Sequence, residues 1–375
     1  VLGKSRRGTF HFQGPCFANM DMLGTVDPEN IHYIMTSNFR NFPKGPEFRK
    51  IFDKDQRNVS RALIIHRSFH RLLAVISCEK VEKGLIPVLE NAALENRVLD
   101  LQDLFQMFNF DSICQLVTGY NPGCLSLDLA DVPFSKAMDD VEESIFLRHV
   151  LPENIWKLQR RLGVENKNGE DLLTAYMNRG DGYDDEFLRD TILNLMIAGR
   201  DTTNSALTWF VWLVSTHPQV EKKIRDELKT ILPSGERRVF FSVDEAKKLV
   251  YLHGALCEAL RMYPPVPFQH KEPVEPDTLP SGHFVKPKMK VLFSLYAMGR
   301  MEHEPSYKFL AFNAGPRICL GKEVAFTQMK AVAAALVHNY RVRVVDGHRV
   351  VPNCSIILYT RDGLKVRVAS RWSTN

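Results

Sequence analysis

The stretch Phe-Asn-Ala-Gly-Pro-Arg-Ile-Cys-Leu-Gly, residues 312–321, sets a single cysteine, Cys319, among Phe312, Gly315, Arg317 and Gly321. Each neighbour has a use if the sulfur is a thiolate ligand to a metal. Gly315 and Gly321 let backbone come close or turn with positive φ. Phe312 offers an apolar lid over the sulfur, and Arg317 brings a fixed charge suited to a carboxylate. The Ala-rich segment 321–340 is apolar at helical spacing, so a helix is expected there. Its N-terminal N–H groups and partial positive charge favour the thiolate. A buried structural cysteine needs none of this, and the loop reads as the holder of a large flat metal cofactor.

Upstream, the chain reads as helix-rich from about Ile64 to Tyr263. A long helix is expected over Glu186 to His217, with Asp184 and Asp185 as possible caps and Pro218 as its stop. At 1.5 Å per residue it is roughly 50 Å long, enough to cross a domain. Its middle, "AGRDTT" (198–203), interrupts an apolar run with a glycine, an acid and two threonines. A second helix is expected from about Asp244 to Met262, ended by Pro264 and Pro265. It carries "EALR", which places Glu258 and Arg261 three apart on one face, where they can pair. Residues 268–290 read as turns and short edge strands, and 341–345, 355–360 and 364–368 as a small sheet. The fold class is mostly α with minor β.

The bulk numbers exclude several functions. Lysine and arginine exceed aspartate and glutamate by five (49 against 44), and no basic run is interleaved with aromatics, so no nucleic-acid partner is expected. Seven cysteines, an odd number without a C-x-x-C pair, read as thiols in a reducing compartment. No apolar run approaches the 18 or more residues that a membrane span needs. Phosphate-binding, dinucleotide and serine-hydrolase motifs are missing, so electrons for any redox step must come from a partner. His66 and His70 lie four apart without the glutamate of a zinc motif and read as ordinary histidines.

The spacing F-x-x-G-x-R-x-C-x-G resembles the haem-binding signature of the cytochrome P-450 monooxygenases. Five fixed positions of this kind arise by accident in on the order of one chain in ten thousand. "AGRDTT" and "EALR", followed 58 residues after Arg261 by Cys319, stand in the family's order. The resemblance implies a single P-450-type domain over 1–375, mostly helical with small sheets, holding haem b (iron protoporphyrin IX). Cys319 would ligate the iron, with Phe312, Gly315, Arg317 and Gly321 around the haem and Arg317 on a propionate. Asp201 and Thr202 would relay protons during oxygen activation, Gly199 would open room at the haem face, and Glu258 with Arg261 would form the structural ion pair.

Segments 20–48, 251–271 and 303–322 resemble plant mid-chain alkane hydroxylases and fatty-acid ω-hydroxylases. That implies a long-chain aliphatic substrate, electrons from NADPH-cytochrome P-450 reductase, and a place on the cytoplasmic face of the endoplasmic reticulum membrane. The anchor that would hold the parent protein there is not in this chain. Against the family pattern, segments are expected to be missing near 53–56, 166–171 and 301–303. The last gap takes the arginine that completes the network with Glu258 and Arg261, which would leave that pair short of partners at a cost of several kcal/mol unless Arg300 substitutes. Two rival readings follow: a shortened chain that no longer binds haem, and a haem-thiolate isomerase or dehydratase, which needs no proton relay.

Overall fold

The computed structural model describes residues 8–13, 21–45, 66–127, 185–232, 241–300 and 309–372. The expected gaps near 53–56, 166–171 and 301–303 lie outside them, as do Asp184 and the side chains of His66 and His70. In chain order the elements are β1 (Thr9–Gln13), β2 (Asp21–Thr25), α1 (Pro28–His32), α2 (His66–Lys80), α3 (Ile86–Leu94), β3 (Leu99–Asp100), α4 (Leu101–Thr118) and α5 (Asp185–Thr216). Then come α6 (Pro218–Ile231), α7 (Val243–Lys248), α8 (Val250–Met262), β4 (Phe268–Lys271), β5 (Asp277–Thr278), β6 (Phe284–Val285), β7 (Lys290–Ser294) and α9 (Leu295–Met298). The chain ends with α10 (Lys322–Asn339), β8 (Tyr340–Val344), β9 (Pro352–Cys354), β10 (Leu358–Thr360) and β11 (Lys365–Ser370). Helices dominate and the sheets are small, as the sequence pattern requires.

The chain divides into two compact units, one of residues 1–58, 133–183 and 266–319, the other of 59–132, 184–265 and 320–375. The first is built on a sheet of order β1-β2-β7-β4. Its central pair, β2 and β7, is parallel, with Leu23 opposite Val291 and Thr25 opposite Phe293. Leu23, Ile31, Ile34, Phe42, Val291 and Phe293 bury together beneath it. Asn30 ties the unit internally: its amide nitrogen donates to Thr9, Thr25 and Ser281 side-chain oxygens, and its oxygen accepts from the Ser281 N–H. Strands β1 and β2 go beyond the sequence expectation: β1 alternates Phe10 and Phe12 with polar residues but is only five residues long, and β2, Asp-Met-Leu-Gly-Thr, does not alternate.

In the second unit α5 runs for 32 residues beside α4 and α10. Asp100 caps α4 by accepting from the Gln102 N–H at 2.9 Å, and it also accepts from the Leu364 N–H and the Lys365 ammonium. The expected helix over 244–262 is two helices. Leu249, buried and non-helical (φ −78°, ψ 87°), breaks them apart. The Glu227 carboxylate then accepts from the Tyr251 and Leu252 N–H groups, satisfying the start of α8 from α6. The expected tail sheet is likewise two: β11 pairs with β3 on one side and β8 on the other, while β9 and β10 pair with each other. Ala331, Ala333, Ala334 and Ala335 are all buried on α10, because small side chains let neighbouring helices close in on every side.

Candidate functional site

In the first unit the cysteine loop is a series of tight turns. Asn313 (φ 67°) and Gly315 (φ 63°) both take the left-handed conformation, which asparagine tolerates and glycine adopts freely. The Asn313 N–H donates to the Leu310 carbonyl at 2.8 Å, and Pro316 sets the 3₁₀ turn Gly315–Arg317. The Cys319 N–H then donates to the Phe312 carbonyl at 2.8 Å, closing the loop. A Cβ at Gly315 would strike the Met35 carbonyl oxygen in the π-helical turn Tyr33–Ser37, so only glycine lets the loop seat there. Gly321 differs from expectation: its φ is −81° and it caps α10, with its carbonyl accepting from the Ala325 N–H. No left-handed turn is needed at that position.

Cys319 is the only exposed cysteine among the described residues. Burial raises the Cys114 and Cys124 thiols to about 12 and also pushes up Cys78 and Cys257, which makes them poor ligands at neutral pH. Arg317 is exposed, and two lysines of the same unit feel its charge. Lys271 is 2% exposed, on β4 opposite the fully buried Val291, with its ammonium 5.4 Å over the Phe39 ring. Burial first, and then repulsion from Arg317, bring its pKa to about 8. Burial, then Lys271, then Arg317 bring Lys44 to about 8 as well. Arg317 acts on both lysines and Lys271 on Lys44, and such a cluster of cations suits a ligand with more than one carboxylate, as haem has. Sequence reading found Arg317 and missed both lysines. No alternation marks Lys271, because Phe268, the one large apolar residue of β4, is itself exposed.

The second unit holds the other candidates. Arg200 and Asp201 are both fully buried, with a guanidinium nitrogen 3.4 Å from the carboxylate, and Arg200 lies 5.9 Å over the Phe110 ring. Thr202 donates its hydroxyl to the Ala198 carbonyl one turn back at 2.6 Å. Gly199 does not leave open room: a Cβ there would sit 2.9 Å from the Ile113 Cδ1 of α4. The glycine is spent on close helix packing. On α8, Arg261 grips Glu258 in two bonds of 2.7 and 2.6 Å. The Arg261 hydrogen bonds hold the Glu258 carboxyl below its ordinary range. The side chains are 56% and 30% exposed, so the burial penalty expected for this pair does not arise. Arg300, in the first unit, stacks its guanidinium 3.6 Å over the Tyr296 ring.

The residues therefore fall into two groups, Phe312, Gly315, Arg317 and Cys319 in the first unit and Asp201, Thr202, Glu258 and Arg261 in the second. The first group fits haem on three grounds: an exposed thiol, a loop whose glycine leaves no space for a side chain, and a cation cluster. Among the described residues no helix is long and apolar enough to cross a membrane.

Known proteins agree with this assignment. The cytochrome P450 family model matches residues 33–304 and 300–366. Alkane hydroxylase MAH1 of Arabidopsis thaliana is 41% identical, covering 97% of this chain and 87% of its own length. The aligned stretch is 440 residues, longer than this chain of 375, so the relative has residues that this chain lacks. Cytochrome P450 86B1 of the same plant is 37% identical over 98% of this chain and 80% of itself. The crystal structure of a cytochrome P450, CYP102L1, superposes with a TM-score of 0.78 over 97% of this chain and 95% of that one, at 18% identity. With the family signature matched along nearly its whole length, this chain belongs to the cytochrome P450 monooxygenase family.

Proposed function

We propose that this P450 hydroxylates a long-chain aliphatic substrate, an alkane or a fatty acid, using haem b and electrons from NADPH-cytochrome P450 reductase at the cytoplasmic face of the endoplasmic reticulum membrane. The observation that carries the chemistry is the exposed Cys319 thiol on a loop locked by Gly315 against Met35. The substrate class rests on the similarity to an alkane hydroxylase. Cys319 would supply the thiolate that holds the haem iron, with Phe312 and Gly321 flanking its loop, and Arg317, Lys271 and Lys44 would bind the haem carboxylates. When bound, haem with a thiolate ligand supplies the electron push that favours O–O cleavage. Asp201 would hold a proton on its carboxylate and Thr202 at Oγ1, while Glu258 and Arg261 stiffen α8. Thr202→Ala should divert electrons from product to peroxide. An isomerase or dehydratase would keep its turnover in that variant.

The test is reduction of haem-reconstituted protein under carbon monoxide, read against Cys319→Ala. A strongly red-shifted Soret band that the control lacks supports the reading, and hydroxylated product from an alkane or fatty acid with the reductase supports the substrate. A second reading is a shortened chain that does not hold haem. It is favoured by the relative's additional residues and by the family match falling in two pieces that meet at 300–304. Soluble, folded protein without stoichiometric haem uptake would establish it.

A further inference from the structure

Asp277, the first residue of the short strand β5, is the half-buried hub of a hydrogen-bonded cluster in the first unit. Its carboxylate accepts from the Asn38 amide at 2.8 Å, the Tyr33 hydroxyl at 3.1 Å, the Asn41 amide at 3.4 Å and the Thr278 N–H at 2.8 Å. Three of the four donors come from one stretch, 33–41, far away in sequence. An ionised acceptor makes stronger hydrogen bonds than a neutral one, so this single side chain fixes that stretch against β5.

The stretch it fixes meets the proposed haem site twice. Tyr33 opens the π-helical turn Tyr33–Ser37 and Asn38 follows it, with the Asn38 N–H donating to the Tyr33 carbonyl at 2.8 Å. Asp277 therefore grips both ends of the turn, and Met35, whose carbonyl oxygen leaves Gly315 no space for a Cβ, lies between them. Such π-turns are rare and collect at functional sites. On the other side, the Asn41 amide oxygen accepts from the Val274 and Glu275 N–H groups at 3.1 and 2.8 Å, and the Pro43 carbonyl accepts from the Glu272 N–H at 3.0 Å. These bonds lay residues 41–43 along 272–275, so the chain at Lys44 runs beside the chain at Lys271.

We propose that Asp277 is a positioning residue: by holding both ends of the turn and the Asn41 side chain, its carboxylate keeps the Met35 carbonyl against Gly315, and so the Cys319 loop in register with Lys44 and Lys271. The role toward haem rests on the haem-thiolate reading, whereas the hold on the loop does not.

The test uses the full chain and compares the parent with Asp277→Asn and Asp21→Asn. Asp277→Asn keeps the size of the side chain, removes its charge and turns one acceptor into a donor. Asp21 is the control, a carboxylate of the same unit whose partners, His11 and Lys286, lie outside the turn. In haem-free protein, amide hydrogen exchange reads the Asn313 and Cys319 N–H groups that close the loop against β8 and β11 of the second unit. Asp277→Asn should speed exchange in the loop by about tenfold or more, as loss of a charged hydrogen bond implies, and leave β8 and β11 as they were. Asp21→Asn should leave the loop unchanged. Equal acceleration in the loop and in β8 and β11, or none in the loop, overturns the hold on the loop.

In haem-loaded protein, Asp277→Asn should shift part of the carbon monoxide spectrum out of the thiolate-type band and speed haem transfer to apomyoglobin, and Asp21→Asn should do neither. Faster loop exchange with both haem readouts unchanged overturns the role toward haem. Should Asp277→Asn not fold, Asn38→Ala removes one donor and is expected to move the same readouts in the same direction. A parent that takes up no haem sinks the haem-thiolate reading and the role toward haem with it, and the exchange result still decides the hold on the loop.

Discussion

Replacing Gly315 with alanine tests the claim that one glycine seats the cysteine loop. Two costs add. The backbone at Gly315 has φ 63°, and holding an L-residue in the left-handed region costs about 1–2 kcal/mol. The new methyl would also strike the Met35 carbonyl oxygen. Backbone cannot swing aside as a side chain can, and forcing in an extra carbon costs about 1–3 kcal/mol. The expected loss is about 2–5 kcal/mol, a large part of a typical stability of about 5–15 kcal/mol. Gly282→Ala is the matched control, because Gly282 belongs to the same unit and has φ 82° with nothing within 4 Å of the position a Cβ would take. It should show the backbone cost alone, about 1–2 kcal/mol. Urea denaturation followed by circular dichroism gives both values, and the carbon monoxide difference spectrum reports the thiolate. Gly315→Ala should lower the thiolate-type Soret band as well as stability, and Gly282→Ala stability alone. Equal losses in the two variants, with equal haem uptake, would refute the contact argument.

Three further outcomes follow from the same geometry. Lys271, at 10.5 unfolded and about 8 folded, must stay charged in a site that disfavours the charge below pH 8. The folded state releases that proton before the unfolded state does, so stability of the haem-free chain should rise between pH 8 and 10.5, by up to about 3 kcal/mol from this group. Lys271→Met should be more stable at pH 7 and lose that part of the rise; parallel thermal melts of parent and variant at pH 7 and 10 check it. Asp100→Ala removes the α4 cap and the acceptor for Leu364 and Lys365, and should cost about 2–3 kcal/mol in denaturant melts. Glu258→Gln should cost less than about 1 kcal/mol, because the ion pair is half exposed and screened by solvent. A Tm drop worth several kcal/mol would mean that the pair is a buried support after all.

The sequence alone determined the residues whose chemistry is local. Five positions within ten residues name Cys319 as the thiol to test, since a loop's turns and a nearby helix start are short-range properties. The long α5, the proline stop after Met262 and the Ala-rich α10 were legible for the same reason: periodicity and capping act within a few turns. The break at Leu249 was not, because the second helix is capped by Glu227 from another helix. Nor were Lys44 and Lys271, whose depressed pKa values arise from burial and from a charge far away in sequence. Gly199 and Gly315 look alike as letters. Tertiary packing gave the first to Ile113 and the second to the Met35 carbonyl, because what a missing side chain makes room for is set by the element that arrives opposite it.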